Sequence, residues 1–143
     1  MPPTDPAELL TRVTDDDTAV LGPVERRLVH GRPELVHRAA HVLVLHPDDG
    51  TLLLQKRSAR KDTCPGLWDT SVGGHVPFGS SYLETALREA GEELGIDLAA
   101  DDLEFLHTLR FRSPQESENV LTYLCRHAGP FTPDPDEIDA LRF

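Results

Sequence analysis

In the first half of the chain, apolar positions fall into short runs separated by turn residues. His41-Val42-Leu43-Val44-Leu45 is followed by Pro47-Asp48-Asp49-Gly50 and then by Thr51-Leu52-Leu53-Leu54-Gln55. Two apolar runs around such a turn predict two strands joined as a hairpin. After Ser81 the period changes. Leu83, Ala86, Leu87, Ala90 and Leu94 recur at helical intervals, Ser81 and Glu84 have the spacing of a capping box, and Gly95 is placed to stop the helix. The pattern predicts a helix over about 81–94. Leu103–His107 and Val120–Cys125 read as further strands around a polar loop at Ser113-Pro114-Gln115, and Ile138–Phe143 is a short apolar segment behind Pro133-Asp134-Pro135-Asp136. Residues 1 to about 12 show no clear period and predict a loose arm or short helix. An N-terminal arm over 1–21, holding at most a short helix or strand, is thereby set apart from a single domain over 22–143. Strands, one central helix and strands again predict an α+β sheet packed by few helices.

A length of 143 residues suits one compact domain. The 25 acidic against 14 basic residues give a net charge of -11. That charge repels nucleic-acid backbones and anionic membranes, so neither is expected as a partner. Cys64 and Cys125 have no paired spacing and read as reduced thiols. The N-terminal stretch has no basic segment followed by an apolar run, and no apolar run approaches the roughly eighteen residues of a membrane span. A cytoplasmic location is expected.

Charge matters most on the central helix. Glu89, Glu92 and Glu93 stand at spacings that bring all three carboxylates onto neighbouring parts of one face. Such pairs repel by a few tenths of a kcal/mol each, so Arg88, a bound cation or water must compensate. Clustered carboxylates are the ligands expected for Mg2+, completed by waters and substrate phosphates. Periodicity alone favours the plainer reading of a solvated acidic face.

The wider context decides between them. The segment Gly74-His75-Val76-Pro77-Phe78-Gly79-Ser80 and, seven residues later, Arg88-Glu89-Ala90-Gly91-Glu92-Glu93-Leu94-Gly95-Ile96 resembles the Nudix box. That pattern is Gly, five residues, Glu, seven residues, Arg-Glu, an aliphatic residue, any residue, Glu-Glu, any residue, Gly and an aliphatic residue. Ser80 replaces its first Glu, and Ala90 fills the aliphatic slot weakly. The resemblance implies a Nudix fold, an α/β/α sandwich around a mixed central sheet with the box helix on one face. It also implies a hydrolase, MutT-like, acting on acid anhydrides, in which Glu89, Glu92, Glu93 and the Gly74 carbonyl hold Mg2+ or Mn2+. Arg88 then orients the carboxylates, and one Glu serves as general base for in-line attack of water on a diphosphate. Without the box Glu at Ser80, Glu84 one helical turn on is the substitute partner for Arg88.

Over residues 22–143 the chain is similar to the branch of Nudix proteins that includes isopentenyl diphosphate isomerase. His30 and His37 lie seven apart, His75 follows Gly74, and the loop from Lys61 to Asp69 has that branch's form. The resemblance implies a second metal held by His30, His37, His75 and Glu116 or Glu118. The isomerases carry a catalytic Cys where this chain has Gly73, so the retained residues imply hydrolysis. An isomerase-like enzyme and a catalytically weak nucleotide-binding module stand as alternatives. Lys56 and Arg57, with Arg60 and Lys61 beyond, are candidates for contacting substrate phosphates, and Trp68 reads as a core anchor. Nudix chains usually continue through another strand to a closing C-terminal helix, whereas this sequence stops at Phe143. The expectation is a sheet lacking that helix, its second face covered in a homodimer or left as apolar surface.

Overall fold

The computed structural model describes residues 8–61 and 64–143. In chain order its elements are β1 (Leu9–Val13), β2 (Val20–Glu25), α1 (Arg26–Val29), β3 (Val36–Leu45), β4 (Leu54–Arg57), β5 (Trp68–Asp69), β6 (Val72–His75), α2 (Tyr82–Leu94), β7 (Glu104–Arg112), β8 (Ser117–Arg126) and β9 (Ile138–Arg142). This is a mixed α+β fold with few helices.

Strand β3 is the spine. Its ten residues pair in parallel with β8 from Val36↔Ser117 to Leu45↔Arg126, and antiparallel with β6 from Ala39↔His75 to Val42↔Val72. The larger sheet runs β2-β1-β3-β8-β7, with β6 on β3, and a second sheet runs β5-β4-β9. Side chains alternate across a strand. Ala40, Val42 and Val44 therefore face one way, and they form the core with Leu53, Val72, Val76, Ala86, Ala90, Leu94 and Ile96. Helix α2 lies on this face. Truncating its fully buried Leu94 to Ala would cost about 2–5 kcal/mol. The opposite face has a smaller cluster, Leu10, Val24 and Val29, beneath α1.

The predicted hairpin is half right. His46 and Thr51 close the turn, and Leu53 N–H still donates to Val44. Beyond it the strands part: β3 joins the large sheet, and β4 pairs with β5 and β9 instead. The arm of residues 1–21, read as holding at most a short helix or strand, carries a strand built into the larger sheet. Where the sequence predicts a loose arm or short helix, Leu9–Val13 pairs with both β2 and β3 and buries Leu10, Thr11 and Val13; residues 1–7 of that arm lie outside the described residues. Trp68 is 47% exposed on β5 and is no core anchor. The edge strand β7 is exposed along its whole length. Among the described residues, no helix is long and apolar enough to cross a membrane.

Candidate active site

Local chemistry fixes the box helix. Ser81 Oγ accepts from Glu84 N–H at 3.0 Å, Ser81 N–H donates to the Glu84 carboxylate at 3.4 Å, and Gly95 closes the C-terminus at φ 68°. The left-handed conformation suits glycine. Glu84 is thereby committed to capping and does not replace the missing partner of Arg88. The Arg88 guanidinium instead reaches Glu89 at 3.4 Å and Glu92 at 3.5 Å. Ser80 closes a turn, its N–H donating to Pro77 O.

Within the helix the three box glutamates are not equivalent. Glu89 and Glu93 are 7% and 5% exposed, whereas Glu92 is exposed. The inward pair lies against β6. A Cβ on Gly74 would stand 2.6 Å from the Glu89 carboxyl carbon, so only glycine lets that carboxylate lie on the strand. Glu93 accepts from Gln55 Nε2 at 2.9 Å and from Gly73 N–H at 3.3 Å, and Gln55 is itself held by Ser71 O at 2.9 Å. Burial, against the opposing pull of Arg88, raises Glu89 to about 7; burial and the charge of Glu89 raise Glu93 well above the usual carboxylate range. Two buried carboxylates crowded over bare backbone are short of positive charge. A divalent cation fits that need, and the donor set is the hard oxygen set that Mg2+ or Mn2+ takes.

Sequence reasoning missed Glu137. Its charge also raises both Glu89 and Glu93, and it pairs with Lys61, both side chains being largely buried. No local pattern links residue 137 to the box; only the return of β9 onto β4 brings it there. Of the basic residues singled out, Arg57 lies 3.6 Å from Asp69 and Lys56 is half-buried on β4. Arg60 is tied to Asp136 at 3.2 Å.

The next residue along β6 serves a different place. Side-chain alternation turns His75 to the opposite face, where its ring meets that of His37 edge-on at 5.1 Å. His37, His75, Glu116 and Glu118 offer ligand atoms all within 4.8 Å of one another. His37 Nε2 is buried with no hydrogen-bond partner among the described residues, and burial holds His37 below its ordinary pKa. Burial, then His37, lowers His75 to about 3; burial, then Glu116, raises Glu118 to about 8. His30 is not in this group. It stands exposed behind α1, near enough for its charge to act on His37 and His75. His41 lies across from Gly73, where a Cβ would come within 3.0 Å of its ring.

Fold and site together define a metal-compatible carboxylate helix set against a mixed sheet. The family model of the NUDIX domain matches residues 35–143, and the chain belongs to that family. An uncharacterised Nudix hydrolase of Yersinia pestis is 36% identical over 89% of this chain and 68% of its own length. An isopentenyl-diphosphate Delta-isomerase of Mycolicibacterium vanbaalenii is 33% identical over 96% of this chain and 77% of its own. Among solved structures, a Deinococcus radiodurans protein superposes with a TM-score of 0.74 at 27% identity, covering 94% of this chain and 82% of that one. A MutT protein of Methanosarcina mazei shares the fold, with a TM-score of 0.65, 21% identity and 75% of each chain covered.

Proposed function

We propose that this Nudix protein is a divalent-cation-dependent hydrolase that cleaves a diphosphate linkage in a nucleotide or related small metabolite. The observation that carries the reading is the burial of Glu89 and Glu93 side by side over Gly74, raised in pKa and short of positive charge. Glu89, Glu92, Glu93 and the Gly74 carbonyl are the groups that would hold Mg2+ or Mn2+. The cation supplies neutralisation of phosphate charge and acidification of water. The chain's own residues do the positioning. Gln55 and Gly73 N–H fix Glu93 from two directions, Arg88 draws Glu89 and Glu92 together, and Lys56 and Arg57, which end β4, would offer charge-assisted hydrogen bonds to phosphate. One of the paired carboxylates accepts the proton of the attacking water.

The geometry also disfavours allylic isomerisation. Gly73 presents no acid to a carbon skeleton, and the His41 ring takes the space beside it. The His37–His75–Glu116–Glu118 cluster supports a second, separate reading as a transition-metal site, because imidazole with carboxylate suits Mn2+ or Zn2+. The deciding experiment is product release from nucleoside di- and triphosphates, dinucleoside polyphosphates, nucleotide sugars, coenzyme A and isopentenyl diphosphate, with Mg2+ or Mn2+ and with chelator. Chelator-sensitive cleavage of any member is expected. Isomerised isoprenoid with its phosphates intact, or binding without turnover, would overturn the reading.

A further inference from the structure

Three arginines gather on the sheet away from the box glutamates. Cross-strand partners share a face, and Arg38 stands opposite Asn119, which stands opposite Arg110. Arg38 is two residues from Ala40, so this row lies on the side that carries α2, and Arg112 follows two residues along β7. Arg38 rests over the ring of Tyr82, the first residue of α2, at 5.0 Å. The turn between β1 and β2 meets these arginines, and its three aspartates differ in use. Asp17 is a latch. Its carboxylate accepts from Arg38 Nε at 2.8 Å and from Tyr82 Oη at 2.6 Å, and the Arg38 and Asp17 side chains are 19% and 24% exposed. Asp16 serves its own turn, accepting from Thr14 and Thr18. Asp15 does neither. Its carboxylate lies 3.4 Å from Arg110 and 3.2 Å from Arg112, and the side chain is 73% exposed. Exposed pairs of this kind hold weakly.

Arg112 does not need Asp15 to stay in place. It donates to Phe111 O and Glu118 O at 3.0 Å each and to Asn119 Oδ1 at 2.9 Å, with the more exposed Arg110 beside it. Two guanidiniums converging on one exposed oxyanion are the arrangement that takes a phosphate group, which presents more acceptor oxygens than a carboxylate does. We propose that Arg110 and Arg112 form a binding site for a small phosphate-bearing anion and that Asp15 is its built-in competitor, a carboxylate resting where the phosphate binds. The ligand class follows from charge. A net charge of -11 repels nucleic-acid backbones and anionic membrane surfaces, whereas a small anion needs only the two guanidiniums. Asp17 keeps the turn fastened to Arg38 and Tyr82, so the anion can replace Asp15 without freeing the hairpin from α2. A pair that merely pinned the turn to β7 would stabilise the fold and confer no affinity for anions.

Inorganic pyrophosphate is the probe, titrated into the full chain by calorimetry in about 0.1 M salt, where charges more than about 10 Å apart are screened. Chelator is present throughout, so no divalent cation can hold the anion at the box. Binding is expected, with shifts of the Arg110 and Arg112 Nε–H signals in the nitrogen-15 spectrum. Arg110→Gln leaves Arg112 and its backbone anchors in place and should weaken binding by about tenfold or more. Asp15→Asn keeps the side-chain shape but removes the competing charge, and should tighten binding by roughly twofold to fivefold. Asp16→Asn makes the same change of charge one residue away and should have a clearly smaller effect. Equal tightening in the two aspartate variants would reduce the effect to net charge and overturn the competitor role. Pyrophosphate binding that is absent, or indifferent to Arg110→Gln, overturns the site itself. Vesicles containing phosphatidic acid should not retain the chain. Retention that requires Arg110, with free pyrophosphate unbound, would assign the phosphate to a lipid headgroup and overturn the small-anion reading.

Discussion

Strand β6 divides two polar sites that differ in almost every respect. On its helix side Gly74 faces Glu89, and the donors are oxygens alone, from Glu89 and Glu93 with Glu137 close by. On its other side His75 faces His37, and nitrogen joins oxygen through Glu116 and Glu118. The helix-side carboxylates have hydrogen-bond donors aimed at them, from Gln55 and from Gly73 N–H. The opposite site has a buried nitrogen, His37 Nε2, with no hydrogen-bond partner among the described residues. Under the proposed reading one strand would serve a hard-cation site and a softer one with consecutive residues, the pleat keeping their chemistries apart.

The comparison breaks most readily at Glu93. Replacing it by Gln keeps the volume but removes the charge, and metal-dependent hydrolysis should fall by a factor of about 10²–10⁴, the range for a group that positions or moves a proton. The fold should persist, because the variant relieves a like-charge pair that burial already disfavours. Turnover and thermal unfolding in chelator are the two measurements. Undiminished turnover, in this variant or in Glu92→Gln/Glu93→Gln, would end the assignment.

His75→Ala tests the other side. If the cluster holds a transition metal, affinity for Mn2+ or Zn2+ should drop by about 10–100-fold, the scale found when a positioned metal partner is lost. Mg2+-supported hydrolysis should fall far less than in Glu93→Gln. Metal content that does not change would leave only the box site.

The two glycines of β6 sharpen the contrast at single-atom scale. In Gly74→Ala the new Cβ meets the Glu89 carboxyl at 2.6 Å and the neighbouring methylene at 2.8 Å, so a buried side chain must move. About 1–3 kcal/mol of stability should be lost, and Mg2+ affinity with it. In Gly73→Ala the Cβ meets only the His41 ring, at 3.0 Å, and a half-buried ring can turn aside. Its loss should be smaller and should leave Mg2+ affinity intact. Equal losses in the two variants would contradict the division of labour along the strand.

What the sequence disclosed follows from how local each signal was. The box helix was legible because Ser81, Glu84 and Gly95 act within one helical turn of its ends, and the structure has it over Tyr82–Leu94. The carboxylate cluster came with it, since helical spacing fixes which residues share a face. The divergence of β3 and β4 was not legible. It depends on β4 finding β9, more than eighty residues away, and the local turn at His46–Thr51 gives no hint of it. Glu137 was missed for the same reason. A strand in the N-terminal arm was one reading, but its place in the sheet was not legible, because Leu10 finds its apolar neighbours across β2 and α1, in Val24 and Val29. A hairpin-tip contact was equally remote: Tyr82 Oη donates to Asp17 at 2.6 Å while Arg38 holds the same carboxylate at 2.8 Å, pinning the β1–β2 turn to the start of α2.

The smallest expected effect separates the two sites by pH. Glu89 and Glu118 bind their protons more tightly in the folded chain than their model value of 4.5 implies, at about 7 and about 8, chiefly through burial. Their contribution to stability is therefore complete below pH 4.5 and is lost as pH rises through those folded values. His37, His41 and His75, held below 6.5, contribute the opposite slope, but only as pH falls beneath 6.5. Above that point the raised glutamates, Glu93 among them, set the slope, so in chelator the melting temperature should decline by a few degrees from about pH 6.5 to about 8, Glu89 ceasing to contribute above about 7 and Glu118 above about 8. Saturating Mg2+ should remove the helix-side part of the decline, from Glu89 and Glu93, by replacing their protons, and leave the part from Glu118 that ends near 8. Mn2+ should flatten both. A single step that Mg2+ removes completely would mean that the two faces of β6 titrate as one site, and a flat profile in chelator would mean that neither glutamate is raised.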